Sequence, residues 1–450
     1  MLQICFKGQM NNTENNSQNL AARRAALMAL TEVLENEQPM GDAAMTAFKR
    51  IELAPRDQAF ARNLLITTLR HLSHIDRILK SMMDRPFPSR AKEVKNILRL
   101  GLTQILYLGT PSHAAVDTSV RLVATMKMQK DRALKGLANA ILRRATREKD
   151  ALIQSVANMP EAAIPLWMRR KWEKDYGTDV MKMIAAQTLI EPPLDITVKA
   201  SEDPDLWAEK LGGFRVGPQS VRLMERKTVT ELEGYASGKW WVQDVAATLP
   251  AHLLDVHEGD LVADLCAAPG GKTLQLAADG GTVVAIDKSA GRLKRVSENL
   301  ERTGLEAEII AADLMDYVPD APFDRILVDA PCSATGTTRR HPEAGYIKKE
   351  PVIYKMAKFQ SMLLKRVSGW LKPGGIMVYC TCSLEKEEGE DQIKRLLEAD
   401  DSLKRLPVNK DEMGDLTHAI TPQGDVQTLP FFLGEQGGMD GFFIARLQKC

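Results

Sequence analysis

The sequence predicts three folded parts behind a loose tail: an all-α bundle at residues 21–150, a small α+β segment at 151–243, and an α/β domain at 244–450. Three observations carry this reading. Apolar residues recur at helical spacing through 21–147; short apolar strands alternate with helical stretches from about residue 253; and 450 residues at roughly 150 per domain give about three domains. A 44% hydrophobic content supplies packed cores for all of them.

The tail, residues 1–20, ends in the polar run Asn11-Asn12-Thr13-Glu14-Asn15-Asn16-Ser17-Gln18-Asn19, which buries too little apolar area to fold. The bundle follows. Leu27, Leu30, Val33 and Leu34 share one helix face, as do Leu65, Leu69, Leu72, Ile75, Ile78 and Leu79. Breakers at 39–41, 86–88 and 109–112 separate the helices, and the pattern closes at the basic pair Arg143-Arg144. The chain's net charge is +1, but residues 20–150 hold 23 Lys+Arg against 13 Asp+Glu, a balance of +10 that leaves −9 elsewhere. Such a basic region suits a phosphate backbone, because neutralised phosphates release counterions, and it equally suits an ordinary solvated face.

In the middle segment, short apolar alternation at 194–198 and a helical run at 204–211 predict a small α+β unit. Its Trp167, Arg169, Arg170, Lys171, Trp172 and Lys174 fit nucleic acid, or a helix that buries two Trp while its cations reach for water. Beyond it, strands at 261–265, 282–286, 307–310, 325–328 and 375–379 alternate with helices, the pattern of a parallel sheet covered on both faces, with a Rossmann-like fold. Ligands of such sheets bind outside the carboxyl ends of the strands, where Asp264, Asp287, Asp329 and residues 380–383 fall.

Composition narrows the function classes. The six cysteines, at 5, 266, 332, 380, 382 and 450, show no C-x-x-C pair and no clustering with the seven histidines, which argues against a zinc site or disulfide framework. No stretch reaches the roughly 18 apolar residues of a membrane span, and no apolar secretion core opens the chain. The expectation is a cytoplasmic monomer without metal.

The turn Asp264-Leu265-Cys266-Ala267-Ala268-Pro269-Gly270-Gly271-Lys272-Thr273 brings backbone close to a ligand and leads into a helix whose N–H groups face it. It is neither a P-loop, since Cys266 stands where the first glycine belongs, nor a G-x-G-x-x-G. Asp287, about 20 residues on, suits ribose hydroxyls. Asp313 suits adenine or a helix cap.

Asp329-Ala330-Pro331-Cys332-Ser333 and Thr381-Cys382-Ser383 place two thiols and a carboxyl group at neighbouring strand ends. Carbon 6 of cytosine is electron-poor, so a thiolate adds there; a proton held at nitrogen 3 then makes carbon 5 nucleophilic towards a methyl sulfonium. That reaction needs a reactive thiol, a carboxyl group at nitrogen 3 and a methyl donor. Each cysteine alone reads as a small buried apolar residue and Asp329 alone as a turn residue; together, beside a cofactor turn, they read as a site. Which thiol attacks stays open on this chemistry.

Two resemblances cover the chain. Residues 98–107, Val116-Asp117 and 136–144 resemble the RNA-binding helical domain of the NusB family. Residues 244–450 resemble RNA cytosine-5 methyltransferases, and the whole chain is similar to the bacterial Sun or Fmu type, the RsmB class acting on small-subunit (16S) ribosomal RNA. The resemblance implies S-adenosylmethionine held by Cys266, Ala267, Ala268, Pro269, Gly270, Gly271, Lys272, Asp287, Asp313 and Asp329. It also implies attack by Cys382 and release assisted by Cys332, whereas DNA cytosine methyltransferases attack with the cysteine of a Pro-Cys motif. It places residues 241–244 beside the cofactor and 438–443 in a closing hairpin, and Ala334 stands where relatives have glycine. Transfer RNA as substrate, or a silent RNA-binding antitermination or assembly factor, are the rival expectations.

Overall fold

A computed structural model describes residues 4–225 and 228–450, with side chains from Leu20 onward. Residues 4–189 and 341–349 pack as one unit, and residues 190–340 and 350–450 as another.

The first unit is helical. Its opening helix, Ile4–Asn36, takes in most of the segment that composition assigns to a tail; residues 1–3 lie outside the described residues. A helix closes its backbone hydrogen bonds within the segment, so a run of polar residues can be helical. Leu27, Leu30 and Val33 of this helix, Leu65 and Leu69 of Pro55–Arg70, Ile75 and Ile78 of Leu72–Ser81, and Leu98 and Leu102 of Lys92–Leu106 are buried in one core, as their spacing predicts. The helices Leu166–Tyr176 and Thr178–Leu189 complete the unit. The mixed Trp and basic segment resolves here: Trp172 is fully buried, Trp167 Nε1 donates 3.0 Å to the Gly345 carbonyl, and Lys171 pairs with Asp175 at 3.4 Å.

In the second unit a four-stranded antiparallel sheet comes first: β1 (Leu194–Val198), β2 (Phe214–Arg215), β3 (Ser220–Leu223) and β4 (Trp240–Val242), in the order β2-β3-β1-β4. The predicted helix lies against it at Pro204–Leu211, capped by Asp203. The larger sheet contains β5 (Leu261–Leu265), β6 (Thr282–Asp287), β7 (Glu308–Ala311), β8 (Phe323–Asp329), β9 (Leu371–Thr381), β10 (Leu403–Arg405), β11 (Val426–Thr428) and β12 (Phe442–Lys449). Its order is β10-β12-β9-β8-β5-β6-β7, with β11 paired to β12. Strands β5 to β9 run parallel, and β12 closes antiparallel on β9.

Alternate residues of each strand feed opposite cores, the two-residue period of a sheet covered on both faces. Ala263, Leu265, Ile326, Val328 and Tyr379 pack with Leu363 and Leu364 of the helix Glu350–Val367. Val262, Leu327 and Val378 pack with Leu249 and Leu253 of the helix Val245–Leu254 on the other side. The chain winds from β5 outward to β7, then returns to β8 on the opposite flank of β5. The boundary between β5 and β8 is thus the switch point, where two loops diverge and leave a crevice.

Candidate active site

The turn after β5 sits at that switch point. Cys266 takes a left-handed conformation, φ 64°, at the place where a P-loop has glycine. Its N–H and that of Ala267 donate to the Ile286 carbonyl at 2.8 and 3.1 Å, which ties the turn to the end of β6. Gly270, at φ 105°, makes the reversal into the helix Gly271–Ala278; a Cβ there would be strained and would meet Val296 at 3.1 Å. Asp287 braces the turn from β6, accepting from Ala268 N at 3.2 Å and Ser289 N at 2.8 Å. A carboxylate has about four acceptor positions, so those two bonds leave room for ribose hydroxyls.

Charge around the turn points the same way. Asp264, Asp287 and Asp329 all act on the Cys266 thiol; burial, then these carboxylates, push its proton affinity well up, so it stays a thiol. The opposing cations are Arg292, whose Nη1 is 3.5 Å from Asp287, and Lys272, whose Nζ is 2.8 Å from Asp329 Oδ2. Burial works against the Lys272 ammonium, but Asp329 outweighs it and the ammonium is held charged. Three carboxylates against two cations favour a ligand of net positive charge, and the sulfonium of S-adenosylmethionine meets that requirement. Asp313 lies at the edge: it accepts from Lys288 Nζ at 2.7 Å and from Met315 N at 3.0 Å, so it also caps its own turn.

The two thiols meet. Asp329 and Cys380 are register partners at the ends of β8 and β9, with Cys380 Sγ 3.6 Å from Asp329 Oδ1. The loops leaving these strands bring Cys332 Sγ and Cys382 Sγ to 3.5 Å. The contact with Cys382, then burial, raise the Cys332 thiol well above the usual range, so Cys332 keeps its proton. One continuous row of contacts therefore runs from Lys272 in the cofactor turn through Asp329 and Cys380 to the strand end that carries Cys382.

Several participants escaped sequence reasoning. Arg340 bridges Asp244 Oδ2 at 2.5 Å and Asp440 at 3.1 Å, which joins the segment at 241–244 to the loop between β11 and β12. Burial, then Asp244, raise the Asp440 carboxyl to about 7. Gly336 passes so close to this loop that a Cβ would come within 2.0 Å of the Gly441 carbonyl oxygen. The β11–β12 pair forms the expected hairpin around 438–443. Ala334 has φ 56°, the left-handed conformation that favours glycine. Glu388, fully buried, receives both Ser333 and Ser383. A serine directly after each of two cysteines was the available signal.

Comparison with known proteins agrees with this architecture. Residues 251–448 match the family described as 16S rRNA methyltransferase RsmB/F, and residues 20–147 match the NusB family. The chain is 33% identical over 445 residues to ribosomal RNA small subunit methyltransferase B of Serratia proteamaculans, covering 96% of this chain and 99% of that protein. It is 34% identical over 451 residues to the protein of that name from Salmonella paratyphi B, covering 97% and 99%. Among solved structures, PH0851 is 21% identical with a TM-score of 0.73, covering 96% of this chain and 99% of that one. NSun6 from Pyrococcus horikoshii with SFG is 20% identical with a TM-score of 0.54, covering 63% and 98%.

Proposed function

Since this chain belongs to the RsmB/F family of 16S ribosomal RNA methyltransferases, we propose that it methylates carbon 5 of a cytidine in small-subunit ribosomal RNA, with Cys382 as the attacking group. The observation that carries this reading is the pair of sulfurs 3.5 Å apart on the loops that leave β8 and β9, one of them keeping its proton. Cys266 to Lys272 and Asp287 are the residues that would hold S-adenosylmethionine, with Asp313 at its outer edge. When bound there, the cofactor supplies an electrophilic methyl group.

The chain's own residues carry the rest. The Cys382 thiolate forms a bond to carbon 6, and the ring's electron pair moves towards nitrogen 3, which faces the Asp329 carboxyl group and takes up a proton from water. Lys272 Nζ holds Asp329 Oδ2 at 2.8 Å. After carbon 5 has gained its methyl group, water takes the carbon-5 proton, the 5,6 double bond re-forms as the bond between Cys382 and carbon 6 breaks, the departing sulfur accepts a hydrogen bond from the Cys332 thiol, and nitrogen 3 returns its proton to water. The base must be unpaired or extruded to reach the thiols. The basic helical unit supplies the phosphate-binding surface.

The test is incorporation of labelled methyl groups from S-adenosylmethionine into unmodified 16S ribosomal RNA, followed by mapping of 5-methylcytosine. One labelled cytidine supports the reading. Label in transfer RNA alone, or tight RNA binding with no label, overturns it.

A further inference from the structure

The spacing of the two sulfurs has a structural cause. Cys332 and Cys382 sit on different loops, 50 residues apart in sequence, and each is followed by a serine. Both serines are fastened to the same carboxylate. Ser333 N donates to Glu388 Oε1 at 2.9 Å, the Ser333 hydroxyl donates to Oε2, and the Ser383 hydroxyl donates to Oε2 at 2.5 Å. The two hydroxyl oxygens are themselves 3.1 Å apart. Glu388 is in turn anchored from β9, because Tyr379 Oη donates to its backbone carbonyl at 2.7 Å. Gln360 Nε2 steadies the first loop at the Pro331 carbonyl, 2.8 Å away. The side chains of Glu388, Ser333, Ser383, Tyr379 and Gln360 are buried.

Sequence alone hides this residue. Glu388 belongs to the run Glu385-Lys386-Glu387-Glu388, which reads as a solvated charged turn. A carboxylate taken out of water is costly unless its lone pairs are filled, and here they are filled by one residue from each thiol loop. We infer that Glu388 is a positioning residue: it clamps the loops of Cys332 and Cys382 together and so sets the distance between the attacking and releasing sulfurs. The inference rests on the reading that Cys382 attacks the base. Glu388 acts through Ser333 and Ser383. Glutamine in its place keeps the shape but substitutes an amide nitrogen, which cannot accept, for one oxygen; at least one of the loops loses its anchor.

The experiment uses full-length protein and ribosomal RNA carrying 5-fluorocytidine, whose carbon-5 fluorine blocks elimination and leaves the enzyme bound covalently. Wild type must form a denaturation-resistant adduct and Cys382→Ala must not; if wild type forms none, the attacking role of Cys382 fails, whatever Glu388 does. Given that adduct, Glu388→Gln is expected to form it at least 10-fold more slowly, with S-adenosylmethionine affinity within 2-fold of wild type. In the same variant, alkylation of Cys332 is expected to shift to lower pH, because a negative charge near that thiol is gone. A role confined to folding would move neither the rate at fixed cofactor affinity nor that pH profile. Adduct formation at the wild-type rate overturns the clamp. Should Glu388→Gln not fold, Ser383→Ala, which removes one hydroxyl from the carboxylate, carries the rate comparison: slower adduct formation at unchanged cofactor affinity supports the clamp, and the wild-type rate overturns it.

Discussion

Replacing Asp264 by asparagine measures what the charge cluster at the switch point costs the fold. Asp264 is fully buried at the end of β5; Thr273 Oγ1 donates to its Oδ2 at 2.5 Å, while Oδ1 has no hydrogen-bond partner. Burial raises its carboxyl from 3.8 to about 6, against the hydrogen bond from Thr273 and the charge of Lys272. The native state therefore holds this proton more tightly than the unfolded chain does. Below pH 3.8 the carboxyl is protonated in both states and its contribution is fully present. As pH rises towards 6 the unfolded chain ionises first, and stability falls until the native carboxyl has ionised too. At about 1.36 kcal/mol per pH unit, that window amounts to about 3 kcal/mol.

Asparagine still accepts from Thr273 and carries no charge, so this loss vanishes in the variant. Its amide nitrogen occupies the position of the unpartnered oxygen, so the change with pH, rather than the absolute stability, is the informative quantity. Native-state hydrogen exchange of the β5 and β6 amides, compared between variant and wild type, gives the difference at each pH. The variant should gain on wild type by about 2.5 kcal/mol between pH 4 and pH 7.5. A difference that stays constant over that range refutes the reasoning.

Further expectations concern single contacts. Asp287→Asn removes a charged acceptor from the cofactor turn and should weaken S-adenosylmethionine binding by about 1.5–3 kcal/mol, roughly 10- to 150-fold by calorimetry. Gly270→Ala forces a side chain into φ 105° and should weaken the same binding by about 1–2 kcal/mol. Arg222→Met strips Asp195 of a fully buried partner that donates to it twice at 2.7 Å. That should cost about 3–5 kcal/mol, read as a melting temperature lower by roughly 10 °C. Ala334→Gly relieves a left-handed alanine at φ 56° but frees the unfolded chain by a similar amount, so stability should change by less than about 0.5 kcal/mol in urea unfolding.

Local patterns were legible. The helix faces of the first unit and the strands at 261–265 and 282–286 are written in nearest-neighbour periodicity, and they lie where the periodicity puts them. The two thiols and the carboxylates at strand ends could be collected because a parallel sheet brings all its carboxyl ends to one edge. What stayed hidden depends on partners far away in sequence. Nothing near Glu388 says that it will be buried against serines 55 and 5 residues away, and nothing near Arg340 announces Asp244 and Asp440. The segment 341–349 packs with the helical unit although it lies between β8 and β9, a return that no local signal marks. Trp172 looked as fit for RNA as for a core, since an aromatic among cations has the same composition in both settings.

The most direct test of the account compares Cys332→Ala with Cys382→Ala on unmodified 16S ribosomal RNA in the presence of S-adenosylmethionine, reading denaturation-resistant protein–RNA complex and methyl transfer together. The account predicts that Cys332→Ala accumulates a complex already methylated at the base, and that Cys382→Ala yields neither complex nor methylation. Normal turnover by Cys382→Ala would contradict it.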